Sequence, residues 1–359
     1  MRTRTILCAL VLAVAVIHVS RAQEDTKAIV ADLVKKSFAA TDGGDLDEGM
    51  RLMEQALKYD PENPDLKYEI AYIQYSRKEY EKAKVILEEI FAQRPKGSAE
   101  LFQLLGNAYD MLGNSSKAIE TYEAGIEQYP KAGNLYLERG LMAMTAKDYN
   151  KAISFWQRGI KAAPKFPSNY YWAAKLYCNS SDRVWGIMYG EIFMNLELGT
   201  DRTATMSKIL YDTYRDAISV GNDTMSISFS RNPAIMAPEE GKEIKLPFPL
   251  LYEVGMTVAS ISVMNAKRVG LAQLDSVRTM FLDAWKNEEA PTAAVLFDWQ
   301  KKLRDAGVLE AYNYWLLGKG DEAAMTLWMK KNSGKMDALI EFLEKHRIGI
   351  DADHYFVQE

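Results

Sequence analysis

Chemistry needs side chains that exchange protons, attack carbon or hold metals, and this 359-residue sequence offers few of them at useful spacings. Apart from His18, in an apolar N-terminal run, the histidines are His346 and His354, eight residues apart. A helical zinc pair needs i, i+4 spacing and usually a third ligand nearby, so these two predict no metal site. Cys178 is the only thiol besides Cys8, and in its apolar surroundings it reads as a small buried hydrophobe; a nucleophilic role would require folding to bring His346 beside it. The sequence carries neither a Gly-rich phosphate loop nor a Gly-x-Ser-x-Gly elbow. The acid pairs Glu239-Glu240 and Glu288-Glu289 lie beside Pro and Gly or between helical patterns and read as solvated turns. The expectation is a chain that is not an enzyme and holds no cofactor.

Binding remains, and the elements that would position binding groups can be read in order. Arg2 and Arg4 precede a 14-residue apolar run, Ile6 to Val19, and then Ser20-Arg21-Ala22. That order predicts a secretory signal peptide over residues 1–22, with the mature chain starting at Gln23. The run is shorter than the roughly 20 residues a membrane span requires. The expected protein is therefore exported, periplasmic or secreted, and soluble once the leader is removed. Three of the 44 basic residues leave with the leader, so the mature chain carries 41 basic against 49 acidic groups, a net of −8. Without a basic stripe to release phosphate counterions, nucleic acid is not expected as a partner.

The strongest signal is a period of 34 residues: Gly106, Ala118, Tyr122 and Pro130 recur as Gly140, Ala152, Trp156 and Pro164. Phe102, Leu105, Gly106 and Tyr109 fall on one helical face; Gly113-Asn114 breaks that helix; Ala118, Tyr122 and Ile126 mark a second. The small residues let two helices approach, the aromatic fills the space beside them, and proline ends the second helix. An earlier unit keeps Ala71, Ala83, Leu87 and Pro95, opened by Asn63-Pro64 as N-cap and first helical residue. Clear units cover about 64–97, 99–132 and 133–166. Weaker ones flank them, with Leu52, Ala56, Leu57 and Pro61 before, and Tyr170, Ala174 and Tyr177 after.

This period, with these residue types, resembles the tetratricopeptide repeat, a helix–turn–helix unit that stacks into a solenoid and usually presents a groove to another chain. The resemblance implies a repeat solenoid over 23–199, and the residue patterns beyond it read as a helical C-terminal domain, so the expected fold class is all-α. In such solenoids the first helices line the concave face, which places Tyr68, Tyr72 and Tyr75, then Gln103, Asn107 and Asp110, then Leu137, Leu141 and Met144, then Tyr171, Trp172 and Lys175 on it. Tyr and Trp are favoured binding anchors. Some members of the family capture a C-terminal carboxylate with Lys, Arg and Asn; the matching places here hold Tyr68, Tyr72, Leu104, Asn134 and Glu138. A carboxylate clamp is not expected, and an extended or helical peptide segment of another envelope or secreted protein is.

From about residue 200 the period is lost, and 200–359 resembles no family. Ala204 to Val220 reads as a helix. Thr224 to Ser230 alternates polar and apolar residues, and Lys242 to Leu246 alternates again after a Pro- and Gly-rich stretch, which predicts a β-hairpin over about 224–246. Helical patterns resume from Leu250. The pair around Gly318-Lys319-Gly320-Asp321 echoes the repeat through Ala324 and Trp328, and the domain is expected to continue or cap the solenoid. The leading expectation is a non-catalytic adaptor in the cell envelope. The alternative is a hydrolase or small-ligand protein with a site between the solenoid and the C-terminal domain, gated by the hairpin.

Overall fold

A computed structural model describes residues 24–221, 224–231, 246–285 and 294–358. The expected leader, the acid pairs and the second strand of the expected hairpin, apart from Leu246, lie outside the described residues. The chain divides into two compact units, 1–130 and 131–359.

In the first unit the helices are α1 (24–42), α2 (Leu46–Tyr59), α3 (Pro64–Ser76), α4 (Tyr80–Gln93), α5 (Ala99–Met111) and α6 (Ser115–Gln128). Consecutive helices from α2 to α6 pack on one another. Four of these starts have a local cause. The Asp45, Asn63, Ser98 and Asn114 side chains accept backbone N–H groups of the first turn, which otherwise have no partner. The turns within the helical pairs share one device. Gly44 (φ 85°), Lys78 (φ 64°) and Gly113 (φ 78°) are all left-handed at corresponding places, and Lys147 (φ 61°) holds that place in the second unit. The strain a lysine accepts there shows that the turn is imposed by helix packing.

The small-residue slots explain that packing. A Cβ added to Gly106 would lie 2.3 Å from the Tyr122 ring, so glycine is what allows the buried tyrosine its place. The weak first unit fills the same slots with Ser37 and Gly49: Ser37 is buried and its Oγ donates to the Gly49 carbonyl at 2.7 Å.

The second unit holds α7 (Gly133–Thr145), α8 (Tyr149–Ala162), α9 (Pro167–Cys178), α10 (Arg183–Leu196) and α11 (Asp201–Ala217). Strands β1 (Ile218–Gly221) and β2 (Thr224–Ile227) follow, then α12 (Phe248–Ser260), α13 (Leu271–Ala284), α14 (Ala294–Asp305), α15 (Leu309–Leu317) and α16 (Glu322–Lys345), bent at Asn332. The repeat design persists: a Cβ on Gly140 would meet Trp156 at 2.1 Å, and one on Gly186 would meet the Cys178 backbone N at 2.5 Å. Gly186 thus takes the alanine slot of the earlier units because even a Cβ has no room against Cys178. One apolar core runs from Ala143 and Trp156 through α10 and α11 to Phe356. The compact division accordingly falls at Pro130–Lys131, inside the repeats, and residues 131–199 share their core with 200–358.

The strand expected at Thr224 is present, but its partner precedes it. Ile218 pairs with Ile227 and Gly221 with Thr224, antiparallel, where a continuing helix was expected. The β-branched Ile218 and Val220 suit a pleated ladder better than a last helical turn.

Candidate functional site

The residues expected to face a partner fall into two patches, one in each unit. In the first, Tyr72 on α3 is 45% exposed, more than its half-buried neighbours Tyr68 and Tyr75. Tyr68 and Tyr75 are half-buried and pack against the core of α3, α4 and α5. Tyr75 lies edge-on to Tyr80 with centroids 5.2 Å apart. Asn107 accepts a hydrogen bond from the buried Tyr122 hydroxyl, which fixes its amide, and Gln103 is half-buried on the same helix. A cleft of about 290 Å3 opens between α3 and α5, lined by Tyr68, Glu69, Arg94, Ser98 and Glu100. Burial raises the Tyr68 phenol above its usual range, with Glu69 and Glu100 adding to the shift. Burial also raises the Glu69 carboxyl, and Asp65 reinforces it. This face is aromatic and acidic.

In the second unit the patch is built differently from expectation. Tyr171 is only 7% exposed, so its place on an open face is corrected: it packs on Phe193 at 4.9 Å, beneath the Arg202 guanidinium at 5.2 Å. The physical reason is that α10 carries bulky apolar residues on almost every face and covers it. Trp172 takes the half-buried position instead, stacked on Trp156 with centroids 6.3 Å apart. Lys175 holds its ammonium 4.6 Å above the Trp172 ring, a cation–π contact the sequence alone did not reveal. Leu137 is half-buried, and its carbonyl accepts from Trp156 Nε1 at 3.3 Å. The second patch is therefore Leu137, Trp172 and Lys175.

Groups capable of chemistry are kept apart. Burial pushes the Cys178 thiol up to about 12, which removes the thiolate that nucleophilic or metal chemistry would use. His346 stacks on Phe342, with its Nδ1 3.1 Å from the Phe342 carbonyl, and His354 Nδ1 sits 2.9 Å from Asp351. Among the described residues no group of three or more His, Cys, Asp or Glu is placed to hold a metal. None of their helices is long and apolar enough to cross a membrane. The largest cavity described, about 710 Å3, lies within the second unit, bordered by Lys161, Trp299, Lys302, His354 and Tyr355.

Comparison with known proteins matches the tetratricopeptide repeat over residues 40–105 and again over 104–167. A mouse protein, tetratricopeptide repeat protein 21B, is 30% identical over 121 residues, 33% of this chain and only 9% of that protein. Among solved structures, a thermophilic repeat protein of Thermus thermophilus aligns with a TM-score of 0.45 and 20% identity, covering 50% of this chain and 98% of its own. PilW, a type IV pilus biogenesis factor, aligns with a TM-score of 0.42 and 18% identity, over 52% and 91% respectively. The repeat matches support a protein-interaction scaffold.

Proposed function

With residues 40–167 belonging to the tetratricopeptide-repeat family, we propose that this chain is an exported, non-catalytic adaptor that binds a peptide segment of another envelope or secreted protein through the first helices of its repeats. The observation that carries the reading is Tyr72, a large aromatic left 45% exposed on a first helix whose other aromatics are packed. A tyrosine offers broad apolar area, few rotors and a polar tip, the chemistry that interface anchors use. On the same helix, the cleft at Tyr68, with Asp65, Glu69 and Glu100 in its lining, favours a peptide that brings positive charge or hydrogen-bond donors. The second patch, Trp172 under Lys175, favours an acceptor or an aliphatic side chain. Export rests on the leader-like residues 1–22, and mass spectrometry of the recovered protein should find Gln23 as its first residue.

The test is affinity capture with full-length protein beside Tyr72→Ala and Lys175→Glu. A partner retained by the wild type and lost from the variants supports the reading; equal retention by all three contradicts it. A second reading, a small-ligand protein, draws on the cavity bordered by Lys161, Lys302 and His354. An anionic metabolite that raises the melting temperature, and no longer does so in Lys302→Ala, would favour it.

A further inference from the structure

The segment after α16 returns to the core. Residues 346–358 contain no helix or strand, yet Ile348, Ile350, Phe356 and Val357 are buried, while 351–354 form an exposed turn. Asp351 organises that turn by accepting the backbone N–H groups of Asp353 and His354, both at 2.9 Å. Beyond it the chain lies against α8, α9 and α10. Phe356 is wholly buried, its ring 5.2 Å from Tyr189 and 5.8 Å from Trp185. The Gln358 backbone N–H donates to the Tyr189 hydroxyl at 2.9 Å. The Gln358 side-chain oxygen accepts from the Tyr177 hydroxyl, and from Gln157 Nε2 at 3.5 Å.

These contacts are those of a bound peptide. An aromatic side chain fills an aromatic pocket, one main-chain N–H is read by a buried hydroxyl, and a primary amide is read by two side chains. The polar contacts come from α8, α9 and α10, Phe248 on α12 also touches the Phe356 ring, and the occupant joins the rest of the chain through the exposed turn 351–354. A second observation shows that the fit is incomplete. Tyr170 is fully buried, its ring 6.2 Å from Tyr189 and its hydroxyl within electrostatic reach of Tyr355, yet that hydroxyl has no hydrogen-bond partner. A buried polar group left over in this way calls for a partner, and an occupant with an acceptor at the Tyr355 place would supply one.

We propose that Gln157, Tyr177, Trp185 and Tyr189 form a second peptide-binding surface, occupied in cis by residues 355–358, whose partner is an extended peptide with an aromatic–aliphatic–glutamine run. Its N-terminal neighbour at the Tyr355 place would carry a hydrogen-bond acceptor for Tyr170. The cis segment sets the threshold: a trans peptide binds with its intrinsic affinity reduced by the fraction of time the segment is released. This surface is distinct from the first-helix patches and stands whether or not they bind.

The experiment is fluorescence anisotropy with a labelled synthetic peptide of residues 347–359, titrated with full-length wild type, Phe356→Ala and Gln358→Ala. The proposal expects weak binding to wild type and binding to Phe356→Ala tighter by about tenfold to a hundredfold, the change one buried aromatic side chain can hold back. Gln358→Ala should gain a few-fold, Tyr72→Ala should match wild type, and a peptide lacking its phenylalanine should not bind. Equal binding to all chains overturns the proposal. So does loss of cooperative melting in Phe356→Ala, which would make the segment part of the core, provided Gln358→Ala also shows no gain. A wild-type chain that light scattering finds to be a dimer with exchanged segments overturns it as well, because the occupant would then be a second copy.

Discussion

Arg278 on α13 and Glu191 on α10 form a bidentate pair, Nη1 to Oε2 at 2.9 Å and Nη2 to Oε1 at 2.7 Å, with side chains 6% and 1% exposed. Most of the remaining capacity of the pair is used. Arg278 also donates to Tyr214 and Asn313, and Glu191 accepts from Gln300 and Tyr312. Five helices, α10, α11, α13, α14 and α15, meet at these two residues. A charge buried alone is expensive, whereas a matched apolar replacement of both is often close to neutral. Glu191→Ala should therefore cost about 3–5 kcal/mol in urea denaturation. Glu191→Leu combined with Arg278→Met should recover most of that loss. A double variant no more stable than the single would show that the network's hydrogen bonds, rather than its charges, hold the helices.

Gly106 tests the repeat geometry. A larger side chain must displace the Tyr122 ring, so Gly106→Leu should destabilise by about 1–3 kcal/mol. Adding Tyr122→Ala opens space for the leucine, and the two changes together should cost less than the sum of their separate effects. Thermal melts of the four proteins in this cycle measure the difference.

Tyr72 and Tyr171 occupy corresponding faces of their repeats by sequence but differ in burial, at 45% and 7%. Tyr72→Ala should change stability by less than about 0.5 kcal/mol. Tyr171→Ala empties a site between Phe193 and Arg202 and should cost about 3 kcal/mol. Chemical denaturation of each variant separates surface from core directly.

Cys178 makes a pH prediction. Burial pushes its folded thiol up to about 12 from an ordinary value of 9.0. Between these values the unfolded chain releases the proton while the folded chain keeps it, so the unfolded state is favoured as pH rises. The thiol's contribution to stability is intact below pH 9 and is lost progressively toward 12. Cys178→Ala should flatten the alkaline fall in stability, and a thiol reagent at pH 8 should label the wild type only after denaturation.

The repeats were legible because their rule is local: small residues at fixed slots, an aromatic beside them and a terminal proline all lie within one period. Gly106 with Tyr122, and Gly140 with Trp156, behave as their spacing implies. Legibility failed where distant elements decide. Tyr171 is covered by α10, which the period does not place. Ile218 left its helix for a strand pairing that only Thr224 to Ile227 could supply. Glu191 carried a signal that passed unread, as the only charge in the apolar run from Val184 to Leu196. Its partner lies 87 residues away, and no spacing rule connects them. Phe356 likewise finds its pocket through contacts with α10 and α12, far from it in sequence.

The most direct test of the adaptor reading places a photo-cross-linking amino acid at Tyr72 and, as a control, at Val85, which is comparably exposed at 44% on the second helix of the same repeat. Irradiation in extracts of producing cells, with cytosolic and envelope fractions kept separate, should give a discrete adduct from position 72 in the envelope fraction and none from position 85. Equal labelling from both positions, or no adduct from position 72 in any fraction, would contradict a partner on the first-helix face.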